Sequence, residues 1–144
     1  MTMKPIIKDD EILDYIPQRF PFVMIDSVYE KGESYVTTGL SITDDNIMTE
    51  AGEFKDGGLI ENIAQTAALY AGTKFKDAGK DIPLGYIAGI KDVKIFQNPS
   101  SGSKIFTTTT LTNEMMNIQI VKGEVKNDQE EILASCELRI FINK

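Results

Sequence analysis

Gly57-Gly58-Leu59-Ile60-Glu61-Asn62-Ile63-Ala64-Gln65-Thr66-Ala67-Ala68-Leu69-Tyr70-Ala71-Gly72-Thr73-Lys74-Phe75 is the stretch on which the fold turns. Apolar residues recur at Ile60, Ile63, Ala64, Ala67, Ala68 and Ala71, which is the helical period. Two glycines stand just ahead of the run, and Gly79 lies where the chain must leave it. The spacing therefore predicts a helix over 59–75, the one long helix in the chain.

Downstream of this helix everything reads as strand, over 84–96, 104–114, 117–126 and 131–142. Turns fall at Asn98-Pro99-Ser100-Ser101-Gly102, around Met115-Met116-Asn117, and at Asn127-Asp128. The last strand alternates, with Ile132, Ala134, Cys136, Leu138, Ile140 and Ile142 on one face. Upstream, Phe22 to Tyr29 and Ser34 to Ile42 are rich in β-branched and aromatic residues, with Lys31-Gly32-Glu33 as a hairpin turn between them. Residues 43–57 are polar and read as a long loop. Lys8 to Tyr15 reads as a short helix that must stop near Ile16-Pro17, because the residue before a proline avoids helical geometry.

One helix cannot cover both faces of a flat sheet of this size. A curved antiparallel sheet of five to six strands wrapped around one long central helix solves the burial problem, so the fold class is α+β. Ala64, Ala67, Ala68, Ala71 and Gly72 are small enough to let such a sheet approach closely. The 144 residues fit one domain, 1–144, with a core of its own.

Composition narrows the chemistry. The chain is 42% hydrophobic and 26% charged, as globular proteins are, which argues against disorder, a coiled coil or a membrane protein. No apolar run approaches the roughly 20 residues that span a bilayer. Met1-Thr2-Met3-Lys4-Pro5 has no apolar stretch after it and does not read as a signal peptide, so a cytoplasmic location is expected. A net charge of -7 argues against nucleic acid or an anionic membrane as partner. The single cysteine, Cys136, cannot form an internal disulfide, and its place on an apolar strand face marks it as a small core residue. The chain has no histidine at all. That removes the usual zinc sites, Ser-His and Cys-His pairs, and any histidine acid or base; no metal or cofactor is expected.

Two segments carry candidate chemistry. In Ile16-Pro17-Gln18-Arg19-Phe20-Pro21-Phe22-Val23-Met24-Ile25-Asp26, two prolines four residues apart fix an extended path that can hold Gln18 at a defined point. In the helix, Glu61 lies in the first turn with Gln65 one turn on, on the same face. A carboxylate there can complement the helix dipole, worth about 0.3–1 kcal/mol. Alternatively it is a partly buried base beside free N–H groups of Gly57, Gly58 and Leu59, donors able to polarise a thioester carbonyl as an oxyanion hole does.

The segment Ile16 to Asp26 resembles the Leu-Pro-His-Arg-Tyr-Pro-Phe-Leu-Leu-Val-Asp stretch of 3-hydroxyacyl-[acyl-carrier-protein] dehydratases of the FabZ type. Leu59 to Gln65 resembles the start of that family's central helix, Glu-x-x-Ala-Gln, and Leu84-Gly85-Tyr86-Ile87-Ala88-Gly89-Ile90-Lys91 resembles its third strand. Three motifs in order span nearly the whole chain and stand nearest the ApeP-like branch. The resemblance implies a hotdog fold that dimerises through its sheets, with an active site shared between subunits, and acyl thioesters on acyl carrier protein or CoA as substrate. It implies Glu61 as the catalytic carboxylate and puts Gln18 where the family has a catalytic histidine. It sets Gly57, Gly58, Gln65, Phe22 and Tyr86 with the substrate, Tyr86 near the mouth of an acyl tunnel. The family's Gly-His-Phe-Pro loop is replaced here by Thr49-Glu50-Ala51-Gly52-Glu53-Phe54.

A glutamine amide does not titrate, and the loss of one positioned acid–base group costs about 10²–10⁴ in rate. Three functions follow. The chain is a one-base dehydratase working through Glu61 and water; or a hotdog thioesterase with Glu61 as base or nucleophile; or a non-catalytic subunit that binds acyl chains or lends Glu61 to an active dehydratase in a heterodimer. Otherwise a homodimer or higher homo-oligomer is expected. Asp26 reads as structural, bonding local backbone or Arg19. Met115 and Met116 read as edge packing. Lys91, Lys94 and Lys104 are candidates to face an acidic carrier protein.

Overall fold

The computed structural model describes residues 4–143; the leader reading of Met1–Met3 lies outside them. In chain order the elements are β1 (Ile7–Lys8), a 3-10 helix (Asp9–Asp14), β2 (Ser27–Lys31), β3 (Tyr35–Ser41), β4 (Thr49–Glu50), β5 (Glu53–Phe54), α1 (Asp56–Asp77), β6 (Leu84–Ile95), β7 (Lys104–Met115), β8 (Ile118–Lys126) and β9 (Ile132–Asn143). Seven strands form one antiparallel sheet in the order β1-β2-β3-β7-β8-β9-β6, and β4 pairs with β5 separately. The five to six strands expected are the six long ones, and the two-residue β1 completes the sheet.

α1 is longer than its apolar pattern. It starts at Asp56, whose charge suits a helix N-terminus, and ends with Lys74 and Lys76 in the last turn, where cations are favoured. The sheet curves over it. Leu59, Ile63 and Ala67 of α1 pack with Ile105, Val121, Leu133, Leu138 and their neighbours in one core, and Leu69 and Tyr70 join Ile12, Ile16, Val28 and Val36 in a second. The closest helix–sheet approach is made by the sheet's glycine: a Cβ on Gly123 of β8 would stand 2.3 Å from Cγ2 of Ile63. Gly72 makes the corresponding approach to the N-terminal segment, where a Cβ would stand 2.3 Å from the carbonyl oxygen of Tyr15. So Gly72 and Gly123 do admit close neighbours, and the alanines of α1 have a further use, described below.

The first expected strand is shorter than its composition suggests. Residues 22–26 are not strand, because side chains of α1 take up their backbone groups. The polar 43–57 stretch contains the small β4–β5 hairpin, turned by Ala51 and Gly52 at positive φ, 53° and 79°. On β9 the inward alternation holds from Ala134 to Ile142, while Ile132 is exposed. β6 pairs only with β9. Its other edge is free in the single chain, and Leu84, Tyr86, Ile87, Ile90 and Val93 are all exposed.

Candidate active site

The segment 15–26 is fastened to α1 by side-chain amides. Gln65, 0% exposed, accepts the Met24 N–H at 2.7 Å and donates to the Phe22 carbonyl at 2.8 Å. Asn62 donates to the Met24 carbonyl at 2.8 Å and accepts from the Thr107 hydroxyl of β7. Thr66 donates to the Asn62 carbonyl, and its hydroxyl meets that of Thr38 on β3 at 2.8 Å. A buried polar ladder therefore runs from the sheet through α1 to the 22–24 backbone. Buried polar groups that are all paired fix one geometry, since breaking any bond leaves an unsatisfied partner.

This ladder ends on Glu61. The remaining Gln65 N–H donates to Oε1 of Glu61 at 3.0 Å, which fixes the orientation of a half-buried carboxylate. Glu61 and Gln18 both line one cavity of about 430 Å³. Arg19 turns back to donate from one guanidinium nitrogen to the carbonyls of Ile16 and Gln18, both at 2.8 Å. Those bonds stiffen the loop that carries Gln18. The Gln18 Oε1 is itself buried without a hydrogen-bond partner. An unpaired buried acceptor of this kind costs free energy until a donor reaches it.

The rest of the cavity is largely apolar, with Asp14, Arg19 and Gln119 as further charged or polar side chains in its wall. Ala64, Ala67, Ala68 and Ala71 lie along one side, so the small residues of α1 leave space beside the helix while Ala64, Ala67 and Ala68 also pack against the core. Ile82, Ile87, Ile140 and Ile142 form the other. An amide and a carboxyl at an alanine- and isoleucine-lined pocket suit a ligand with a polar reacting end and a long apolar tail.

Several sequence expectations change here. The N–H groups of Gly58 and Leu59 are not free: both donate to the Lys55 carbonyl, at 2.9 and 3.1 Å, closing the first helical turn. Gly58 is a packing glycine, since a Cβ would fall 2.6 Å from the Phe54 ring. Gly57 is exposed beside Met48, and neither glycine lines the cavity. Gln65 is too deeply buried to touch a ligand and acts as a positioning residue. Phe22 offers its carbonyl to Gln65 while its ring is exposed, away from the cavity. Tyr86 is 51% exposed; Gly85 and Ile87, its neighbours in the alternation of β6, line the cavity and Tyr86 does not. Asp26 is structural as expected, but it accepts from Ser27 Oγ and the Ser41 N–H, each at 2.9 Å, and not from Arg19. Met115 and Met116 are exposed, Met116 at positive φ in the β7–β8 turn. Lys104 packs over the Tyr29 and Phe106 rings. Cys136 is buried, and burial pushes its thiol up to about 11.

Sequence reasoning missed Asn62 and Gln119, the bracing bonds of Arg19 and the cavity beside the alanines. Gln119 carried a readable signal: it is the one polar residue on the inward set Gln119, Val121, Gly123 and Val125 of β8.

A long helix sheathed by a curved antiparallel sheet, with a carboxyl-bearing apolar cavity along the helix, defines a hotdog fold of the α+β class. A chain from the dehydratase heterocomplex ApeI:P of Xenorhabdus doucetiae superimposes with a TM-score of 0.83 at 18% identity, covering 92% of this chain and 91% of that one. A hypothetical thioesterase protein with coenzyme A from Streptococcus pneumoniae shares the fold at a TM-score of 0.68 and 8% identity, covering 81% of this chain and 84% of that one. The family model described as "ApeP-like: ApeP dehydratase" matches residues 10–144, and the chain belongs to this family. The FabZ 3-hydroxyacyl-[acyl-carrier-protein] dehydratase of Shewanella sp. (strain MR-4) is 33% identical over 141 residues, covering 89% of this chain and 87% of that protein. The protein is thus dehydratase-like in sequence as well as fold.

Proposed function

We propose that this chain is the carboxyl-bearing subunit of a 3-hydroxyacyl-[acyl-carrier-protein] dehydratase and works in a pair with a histidine-bearing chain of the same fold. One observation carries this reading: Glu61 lines a largely apolar cavity and is held there by Gln65, while the chain contains no histidine. Dehydration removes a proton from the α-carbon, forms the α–β double bond from that electron pair, and expels the β-hydroxyl. Glu61, as the carboxylic acid, gives its proton to the departing hydroxyl, which leaves as water. The base for the α-proton comes from the partner. Gln18, in the wall of the same cavity, has an amide that can hydrogen-bond the substrate but cannot take its proton.

Two further features support a pair. The free apolar edge of β6 is suited to strand-to-strand addition of a second hotdog sheet, and the ApeI:P neighbour is itself named a dehydratase heterocomplex. The exposed Lys91 and Lys94 on the same strand are available to the acidic surface of a carrier protein. Among the described residues no helix is long and apolar enough to cross a membrane. A free buried thiol suits the reducing conditions of the cytoplasm, the location that belongs to this proposal.

The test is a thioester-turnover assay on the isolated protein that follows enoyl formation and thiol release together. The proposal expects neither at an enzymatic rate. Thiol release at such a rate would favour a thioesterase with Glu61 as base, and full enoyl formation would make the chain a self-sufficient dehydratase.

A further inference from the structure

A second cavity, of about 520 Å³, lies farther along α1 and shares wall residues with the first. The first touches Glu61, Ala64, Ala68 and Ala71 on the helix, and the second touches Tyr70, Ala71, Lys74 and Phe75. Only Ala71 and Gln119 border both. From Glu61 to Ala71 is ten residues, or about 15 Å of helix rise, and the second cavity extends the path by a further turn.

Register explains how Gln119 comes to stand between them. Ile87 on β6 faces Ile140 on β9, Ile140 faces Gln119 on β8, and Gln119 faces Glu114 on β7. Directly paired residues share a face of the sheet, so these four side chains form one row. Ile87, Ile140 and Gln119 line the first cavity; Gln119 and Glu114 line the second. The Gln119 amide donates to Glu114 Oε2 at 2.8 Å, which ties the side chain across the junction toward the next strand. A leucine or isoleucine would fill this 8% exposed position without burying an amide. The amide is instead held by a single partner near the surface, an arrangement that local packing does not require.

We propose that Gln119, closing against Ala71 and latched by Glu114, is the end wall that sets the longest acyl chain the site accepts. The space beyond it is the second cavity, where Tyr70, Phe75 and Leu111 offer apolar surface beside Glu33, Ser34 and Lys74. This rests on the acyl-thioester reading above. A chain that reaches the wall meets a buried amide with its terminal methyl and must displace the Gln119–Glu114 bond to go on.

The experiment measures dissociation constants of unreactive 3-hydroxyacyl-pantetheine thioethers of graded chain length, by calorimetry, on the full chain in the assembly in which it purifies. Wild-type protein is expected to show affinity rising with length to a cut-off and then falling. Gln119→Ala should move the cut-off to longer chains, with about a tenfold gain or more for the first length the wild type rejects. Ala71→Leu, which thickens the wall from the helix side, should move it to shorter chains, and serves equally if Gln119→Ala does not fold. An unchanged length profile in either folded variant overturns the end wall while leaving the acyl-thioester reading standing. Failure of every probe to bind wild-type protein overturns both.

Discussion

The segment 15–26 and strand β6 both border the cavity that Glu61 lines, yet they are held in opposite ways. The segment has little regular structure, but Gln65 and Asn62 capture its backbone and Arg19 braces its loop, so its polar groups are answered from within the chain. β6 is a regular twelve-residue strand, but it is paired along one edge only and presents Tyr86, Ile90 and Val93 to solvent. The chain finishes its cavity on the side it can reach through α1. It leaves unfinished the side where a second sheet would add. A wall built from within the chain and a wall awaiting a neighbour are what a subunit of a shared active site requires.

The sharpest way to break the contrast is to remove the group the built wall exists to hold. Glu61→Gln keeps the size and the bond to Gln65 but cannot give a proton, so activity of the paired enzyme should fall about 10²–10⁴-fold in kcat with little change in Tm. A fall in Tm with kcat retained would make Glu61 structural. Gln65→Leu attacks the fastening itself. It strands the Met24 N–H and costs about 1–3 kcal/mol in denaturant unfolding, and should lower kcat by freeing Glu61. Gly123→Ala overpacks Ile63 on the sheet side, away from the fastening, for a similar loss of about 1–3 kcal/mol. It should leave the substrate profile unchanged, which separates core damage from loss of positioning. On the open wall, Ile90→Lys puts a charge on the unpaired strand and should dissociate the assembly in sedimentation at unchanged monomer stability. The smallest effect is at Cys136. Its folded thiol is raised from 9.0 to about 11, so the unfolded chain loses the proton first and stability falls as pH climbs between those values. Cys136→Ala should flatten that part of the alkaline profile.

What could be read from sequence divides along the same line. α1 was legible because its period and the Gly79 that follows it are local, although Gly57 and Gly58, read as lying ahead of it, fall inside its first turn; β6 to β9 were legible because alternation and turn residues are local too. Residues 22–26 look like strand by composition, but their partners Asn62 and Gln65 lie some forty positions away, and no local pattern announces that. Glu61 was singled out by its place in an apolar helix together with the family resemblance, and its catalytic role belongs to the proposal. The alanines beside it were seen, but their cavity was not, since small residues admit a sheet or a ligand equally well. Tyr86 was set at the tunnel mouth by resemblance, whereas the pleat of β6 sends it to the other face from Gly85 and Ile87. The absence of histidine was visible at once. Its meaning was not: the resemblance alone puts the family's histidine at position 18, and Gln18→His, assayed alone, tests that placement by whether enoyl product appears.

The central claim is that Glu61 completes a site whose base another chain supplies. Its most direct test mixes this protein with a histidine-bearing hotdog dehydratase whose own helix carboxylate has been removed, and follows enoyl formation from 3-hydroxyacyl-[acyl-carrier-protein]. Neither chain alone should turn over, the mixture should, and Glu61→Gln in this chain should abolish the mixture's activity. An active isolated chain, or a mixture indifferent to Glu61→Gln, would contradict the account.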